Sequence, residues 1–279
     1  NPNELTTKVD FSKCTNLKTV GASAFNGCGG IDEINLPSTV EYIGARAFSN
    51  TNAYKAFFEG LENSKEVKYE IVGDILLWIY MPSSETTLTV PDGIRIIAGG
   101  ACSGWDSGIV PTTSEGLRPE WASRYNISNV VTKVEIPDSV EVTGDNAFYN
   151  MKTVKELTIS GNVKTIGDGA FSFCGGLEKV TLEEGVKEIS ANAFNSCTSL
   201  VSITLPSTLE YIGSSAFAAC ASLKTLVTPE GITEIDAGLF DSGCTALETV
   251  YLPEMFRPYI FGIMGDLTVN TKVIYYNEK

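Results

Sequence analysis

Leu200-Val-Ser-Ile203-Thr-Leu205-Pro206-Ser-Thr-Leu209-Glu-Tyr-Ile212-Gly213-Ser-Ser-Ala216-Phe217-Ala-Ala-Cys220 reads as one coil of a repeating structure. Ile203-x-Leu205 has the period-2 alternation of a short strand, which Pro206 stops because proline cannot donate to a ladder. Leu209 and Ile212 turn inward around a second extended piece that ends at Gly213. The stretch from Ser214 to Cys220 suits a helical turn that drops Ala216 and Phe217 into a core. One such coil cannot bury its own apolar face, so it must be stabilised by stacked neighbours.

Working outward, the Ala-Phe pair recurs at Ala24-Phe25, Ala47-Phe48, Ala147-Phe148, Ala170-Phe171, Ala193-Phe194 and Ala216-Phe217, with spacings of 23, 100, 23, 23 and 23 residues. Ala101-Cys102 falls inside the long gap, and Leu239-Phe240 continues the register 23 residues after Ala216. Other columns move in step with these. Pro37, Pro91, Pro137, Pro206 and Pro229 stand ten residues before the alanine column, and Gly21, Gly44, Gly144, Gly167 and Gly213 stand three before it. A fixed period with several agreeing columns is the sequence signature of a solenoid. The expected fold is therefore a repeat solenoid, mostly β with short helical turns, built from 23-residue coils.

The unit Leu-x-x-Ile-x-Leu-Pro-x-x-Val-x-x-Ile-Gly-x-x-Ala-Phe-x-x-Cys resembles the BspA-like family of bacterial surface leucine-rich repeats. The resemblance covers about 17–53, 85–102 and 131–252. It implies a leucine-rich-repeat right-handed horseshoe or arc and an extracellular role facing host or matrix. It carries over no catalytic residue, because the family has no shared active site.

Seven segments follow from this register. Residues 1–30 form an N-terminal cap and first coil, in which Phe11 and Cys14 repeat the Phe-x-x-Cys spacing. Residues 31–53 are a repeat, and 54–84 a hairpin-like insertion in which Val72 to Leu77 resembles the extra hairpin that family members often carry. Residues 85–102 are again a repeat, 103–130 either an inserted loop or a degraded repeat, 131–252 continuous repeats, and 253–279 a C-terminal cap.

Composition narrows the chemistry. Lys and Arg number 20 against 34 Asp and Glu, a formal net charge of -14, which repels phosphate backbones and anionic membrane surfaces. Histidine is absent, removing Ser-His-Asp and Cys-His catalysis and His-ligated zinc. The longest apolar run, Ile75 to Met81, is far short of the roughly 20 residues of a membrane span. The start, Asn1-Pro2-Asn3-Glu4, lacks a charged and apolar leader pattern, so any signal peptide was removed or never present. The glycines at Gly27, Gly29, Gly30, Gly175 and Gly176 fall at repeat turns, with no lysine at phosphate-loop spacing. Calcium loops are missing, so no cofactor, metal or catalytic residue is expected and the chain reads as a non-enzyme.

The seven cysteines mostly follow the phenylalanine column, with no paired short spacing of the zinc type. They read as buried reduced thiols. The first strand should present two outward columns. One is Glu33, Lys133, Glu156, Lys179, Ser202, Thr225 and Thr249, in which Lys133, Glu156 and Lys179 should form a cross-strand charge ladder. The other is Asn35, Glu135, Thr158, Thr181, Thr204, Val227 and Tyr251. Candidate binding residues are Glu135, Thr158, Thr181, Thr204 and Tyr251 on this face, together with Trp105, Trp121 and Tyr125 in the 103–130 excursion.

Three readings follow. The leading one is a protein-binding or adhesion module on a bacterial surface or secreted, with a host or matrix protein as partner. A carbohydrate-binding module using Trp105, Trp121 and Tyr125 is the alternative, and a passive spacer is the third.

Overall fold

A computed structural model of the chain describes residues 9–61, 64–103, 127–241, 243–264 and 271–276. They form a parallel β-solenoid. A first row of ten short strands comprises Val9–Asp10, Ile34–Asn35, Thr87–Thr89, Lys133–Glu135, Glu156–Ile159, Lys179–Leu182, Ser202–Thr204, Thr225–Val227, Thr249–Pro253 and Lys272–Tyr276. After Pro37, Pro137, Pro206 and Pro229 a tight turn closes by an i to i+3 bond, as from Leu209 N–H to the Pro206 carbonyl at 3.2 Å. The chain then enters a second row, in which Ile96, Val142, Thr165, Glu188, Tyr211 and Glu234 stand in parallel register. That row is the backbone of an eight-stranded sheet.

The Ala-Phe stretch closes each coil as a pair of tight turns. The residue before the alanine column has left-handed φ at Ser23, Arg46, Gly100, Asn146, Gly169, Asn192, Ser215 and Gly238, and the residue two after the phenylalanine repeats this at Gly27, Asn50, Asn150, Phe173, Ser196 and Ala219. Glycine and asparagine tolerate this region at low cost. Between these two bends, Phe N–H groups donate to the alanine-column carbonyl one coil on, at 2.8 Å from Phe148 to Ala170 and 2.9 Å from Phe194 to Ala216.

Successive rings stack nearly parallel, Phe148 on Phe171 at 5.0 Å, Phe171 on Phe194 at 5.6 Å and Phe194 on Phe217 at 5.9 Å between centroids. Each such pair contributes about 0.5–1.5 kcal/mol beyond the area it buries. The glycine column follows from the same coil spacing. A methyl at Gly213 would lie 2.5 Å from Ala191 N, and one at Gly144 2.5 Å from Gly99 N, so these positions must stay bare for coils to approach.

The thiols use the same stacking. Cys174 Sγ donates to the Phe148 carbonyl at 3.4 Å, Cys197 to Phe171, Cys220 to Phe194 and Cys244 to Phe217 each at 3.2 Å, which satisfies carbonyls buried in the core. All seven cysteines are free. Cys14 and Cys28 depart from the expected burial: both are exposed, in the first described coil, before which no Ala-Phe turn stands among the described residues. Phe11 also departs from the spacing argument. Pairing of Val9 with Ile34 and Asp10 with Asn35 puts Phe11 level with Leu36, outside the phenylalanine column, although its ring meets Phe25 at 5.4 Å.

Between the second and third coils the helix Asn52–Phe58 is capped by Thr51 Oγ1, which accepts from Tyr54 N at 3.1 Å. It lays Tyr54 edge-on against Trp78 at 5.0 Å. Lys68–Val72 and Ile75–Tyr80 form an antiparallel hairpin across Gly73, and the whole Ile75–Tyr80 strand is buried. Arg95 ties the hairpin turn to the coils, pairing with Asp74 at 2.7 Å and donating to the Val40 carbonyl at 2.8 Å. Beyond it, Thr87 pairs with Lys133 and Ile96 with Val142, so coils 85–102 and 131–148 stack directly. At the far end, Leu239 N–H donates to the Ile263 carbonyl at 2.8 Å. The helix Ile260–Met264 thus stands where the next Ala-Phe turn would, a substitution that alternation alone does not reveal.

Two predictions follow from this packing. Phe194→Ala should cost about 3–5 kcal/mol in denaturant melts through the cavity it opens, whereas outward Thr204→Ala should change stability by less than about 0.5 kcal/mol; equal effects would invert the inward and outward assignment. Burial pushes the Cys174 thiol from 9.0 up to about 12. The folded chain therefore holds that proton more tightly than the unfolded chain, and the stability it carries is full below pH 9 and declines as pH rises from 9.0 toward about 12. Melts at stepped alkaline pH should show a shallower decline for Cys174→Ala than for the parent chain, and parallel curves would refute the buried-thiol account.

Candidate functional site

The first-strand row has one face packed on the core and one turned to solvent. Along Glu156–Ile159 the side chains alternate, Leu157 and Ile159 inward and Glu156 and Thr158 outward. In register beside them lie Lys179 and Thr181, then Ser202 and Thr204, which makes Thr158, Thr181 and Thr204 one continuous outward row. Threonine suits this setting because its branched Cβ fits the pleat while its hydroxyl meets water. Farther along, Val227 pairs with Tyr251 and Tyr251 with Ile274.

The row is not one sheet. It breaks into four pieces, with Val9–Asp10 and Ile34–Asn35 in the first, Thr87–Thr89 and Lys133–Glu135 in the second, Glu156–Ile159 to Ser202–Thr204 in the third, and Thr225–Val227 to Lys272–Tyr276 in the last. At the break between Lys133–Glu135 and Glu156–Ile159, the face opens into a cleft of about 890 Å³. Its floor carries Val134 and Ile136, which are only half-buried where the equivalent Leu157, Ile159, Val180 and Leu182 are covered. Its rim carries Asp92, Asp138, Glu156 and Glu183.

The charges around the cleft are unevenly matched. Lys133 turns to Glu135 on its own strand at 2.6 Å, and Thr89 Oγ1 donates to the same carboxylate at 2.9 Å. These two donors, Lys133 first, hold the Glu135 carboxyl below the usual carboxylate range. Lys155 is taken by Glu178 at 2.7 Å. The expected Lys133, Glu156 and Lys179 ladder does not form: the break separates Lys133 from Glu156, leaving Glu135 as its nearer anion. Cross-coil ion pairs sit instead one position earlier, at Lys155–Glu178, and at Lys18–Glu41 and Lys187–Glu210 before the second row. Being exposed, each is worth at most about 1 kcal/mol.

Of the residues singled out in the sequence, Glu135 and Thr158 face each other across the cleft, Thr181 and Thr204 extend the row beyond it, and Tyr251 lies in the last sheet piece. Trp105, Trp121 and Tyr125 lie outside the described residues. Sequence reasoning did not reach Asp92, Asp138 or Glu183 as site residues, and its only signal there was Glu183 standing in the proline column. Among the described residues no group of three or more Cys, Asp or Glu could hold a metal ion, and no helix is long and apolar enough to cross a membrane.

The sequence model for the BspA type leucine rich repeat region matches residues 3–70 and 124–257 in six copies. Among solved structures, the chain is similar to the leucine-rich repeat protein of T. pallidum, with 26% identity over 68% of this chain and 70% of that one and a TM-score of 0.42. It is also similar to a leucine rich cell surface protein from Faecalibacterium prausnitzii A2-165, with 19% identity over 95% of this chain and 78% of that one and a TM-score of 0.41. A leucine-rich repeat protein from Eubacterium ventriosum ATCC 27560 shares 23% identity over 78% of this chain and 66% of that one, with a TM-score of 0.42. No curated protein matches the chain.

The Glu135 carboxyl gives a local check on this geometry. Lys133→Gln should move it up toward the ordinary carboxylate range in a carboxyl-carbon NMR titration, and an unmoved titration would mean that Lys133 does not hold it.

Proposed function

The chain belongs to the BspA-type leucine-rich-repeat family, and from that premise we propose that it is a non-catalytic protein-binding module displayed outside a bacterial cell, with adhesion to a host or matrix protein as its role. The observation that carries the reading is the uninterrupted outward row of Thr158, Thr181 and Thr204 beside an open cleft. A rigid stacked scaffold presents such a row without ordering cost at the moment of binding, so many modest contacts can add up.

The chain has no histidine, and the five buried thiols are protonated hydrogen-bond donors or column fillers, not exposed nucleophiles. Its acidity disfavours nucleic acid. The extracellular setting rests on the family resemblance.

Retention on an immobilised extracellular-matrix extract tests the proposal. The double variant Thr181→Arg with Thr204→Arg should lose about tenfold or more of the retained fraction, the effect of disturbing a central contact, while Thr165→Arg on the second-strand row should retain as the parent does. Equal retention of both variants, or none by the parent chain at any salt concentration, would overturn it.

A further inference from the structure

The second of the two bends around each Ala-Phe pair holds one residue in left-handed φ, and small or amide residues fill it at Gly27, Asn50, Asn150, Ser196 and Ala219. In one coil the residue is Phe173, at φ 60°. A side chain of that bulk is uncommon there, because its Cβ crowds the following carbonyl oxygen. The backbone does not call for it. Phe173 N–H donates to the Asn195 carbonyl at 2.8 Å, and Asn150 and Ser196 make the same coil-to-coil bond, to Ser172 and Ala218, at 2.8 Å each.

The core does not hold the ring either. Phe173 is 48% exposed, while Phe148, Phe171, Phe194, Phe217 and Phe240 of the stacked column are at most 2% exposed. Tyr149 meets the ring from the preceding coil at 5.3 Å between centroids, tilted by 49°. On the following coils the same position carries Ser196 and then Ala219, both too short to cover it. A residue kept in a costly conformation, with a side chain that neither backbone nor core requires, has its use at the surface.

The surroundings define the ligand. Along the next coil Ser196 Oγ donates to Asn195 Oδ1 at 2.7 Å, and exposed Thr198 Oγ1 donates to the Gly175 carbonyl at 3.4 Å, which leaves the oxygens of both hydroxyls able to accept. An aromatic ring beside hydroxyls and amides suits a sugar, whose C–H face packs on the ring while its own hydroxyls bond to the polar side chains. Successive core rings lie 5.0, 5.6 and 5.9 Å apart, close to the advance per sugar in an extended chain. A glycan laid along the stack therefore meets Phe173 with one ring and Ser196 with the next. A protein anchor would need a close-packed surround, which Ser196 and Ala219 do not supply. The formal charge of -14 repels uronate and sulfate groups and selects a neutral chain.

We propose that the turn edge at Tyr149 and Phe173 binds a neutral, extended oligosaccharide, one sugar stacked on Phe173 and its neighbours bonding to Asn195, Ser196 and Thr198. The site lies apart from the threonine row and stands without the protein-binding reading. Chitohexaose and cellohexaose are the probes, each titrated into the whole chain carrying isotope-labelled phenylalanine, with a hyaluronan hexasaccharide as the anionic comparison. Phe173→Asn removes the ring and relieves the backbone, Phe173→Tyr keeps the ring, and Thr181→Arg with Thr204→Arg disturbs the strand face alone.

At least one neutral hexasaccharide should shift the Phe173 ring resonance saturably and leave buried Phe194 unmoved, while hyaluronan shifts neither. Phe173→Asn should lower affinity about tenfold or more, yet raise the thermal midpoint by about 2 °C or more, since asparagine tolerates the left-handed region. Phe173→Tyr and the threonine variant should bind as the parent does. A lower midpoint in Phe173→Asn would make the ring a packing group and overturn the inference. So would silence of both neutral probes, or an equal shift with hyaluronan. Matrix retention separates the two readings. Retention lost in Phe173→Asn, by a chain that binds neither neutral probe, assigns the ring to a protein partner and sinks the glycan site; full retention in the threonine variant with sugar binding intact sinks the strand face and leaves this site.

Discussion

Coil-to-coil stacking within the Ala-Phe turn is the constraint on which the other features depend. From Phe148 to Phe217, an N–H leaves each phenylalanine for the alanine-column carbonyl of the coil after it, and the rings of Phe148, Phe171, Phe194 and Phe217 lie flat on one another. That geometry sets two left-handed residues around the pair. It also brings second-row backbones so close that a Cβ at Gly44, Gly144, Gly167 or Gly213 would lie 2.4–2.5 Å from the neighbouring coil's backbone. Alanine, phenylalanine and glycine thus share one cause, the spacing between neighbouring coils.

The cysteine column belongs to the same scheme. A carbonyl that faces the core at the end of the turn needs a donor, and a thiol supplies a weak one while behaving otherwise as a small apolar side chain. Serine and threonine hydroxyls do the equivalent work nearer the surface, as in the bonds from Thr39 to the Leu17 carbonyl and from Thr208 to the Val186 carbonyl at 2.8 and 3.0 Å. Each coil is thereby tied to its neighbour by groups at several points around its perimeter. Cys102 fills a phenylalanine position between Phe48 and Phe148, beside the places where the hairpin and the 103–130 segment leave the regular stack.

Where the stacking is tight the surface is regular, and where it loosens a cleft appears. The second row continues unbroken as a ladder from Ile96 to Glu234, so the scaffold does not come apart at the break. Only the first row opens, between strands that the turn column still holds at the coil spacing. The cleft brings half-buried Val134 and Ile136 and a rim of carboxylates together in one place. A strictly periodic solenoid would offer the same row of threonines at every coil and no preferred point of contact.

The sequence by itself determined the period, the inward columns and the outward row. Phe194, Ile212 and Leu205 recur at fixed offsets whose alternation leaves little freedom about which way they point, and Thr158, Thr181 and Thr204 follow from the same count. Local alternation and spacing are properties of consecutive residues, so a chain read in order reveals them. It did not reveal that Phe11 falls outside its column, that Lys133 prefers Glu135 to Glu156, that Ile263 stands in for an alanine, or that Asp92 and Asp138 share a rim with Glu183. Those depend on whether neighbouring coils pair at a given strand, which is set by how whole coils settle on one another and by the insertions between them. The tertiary structure alone decided where the first-strand ladder breaks, because hydrogen bonding between coils is a contact across 23 or more residues that no local pattern encodes.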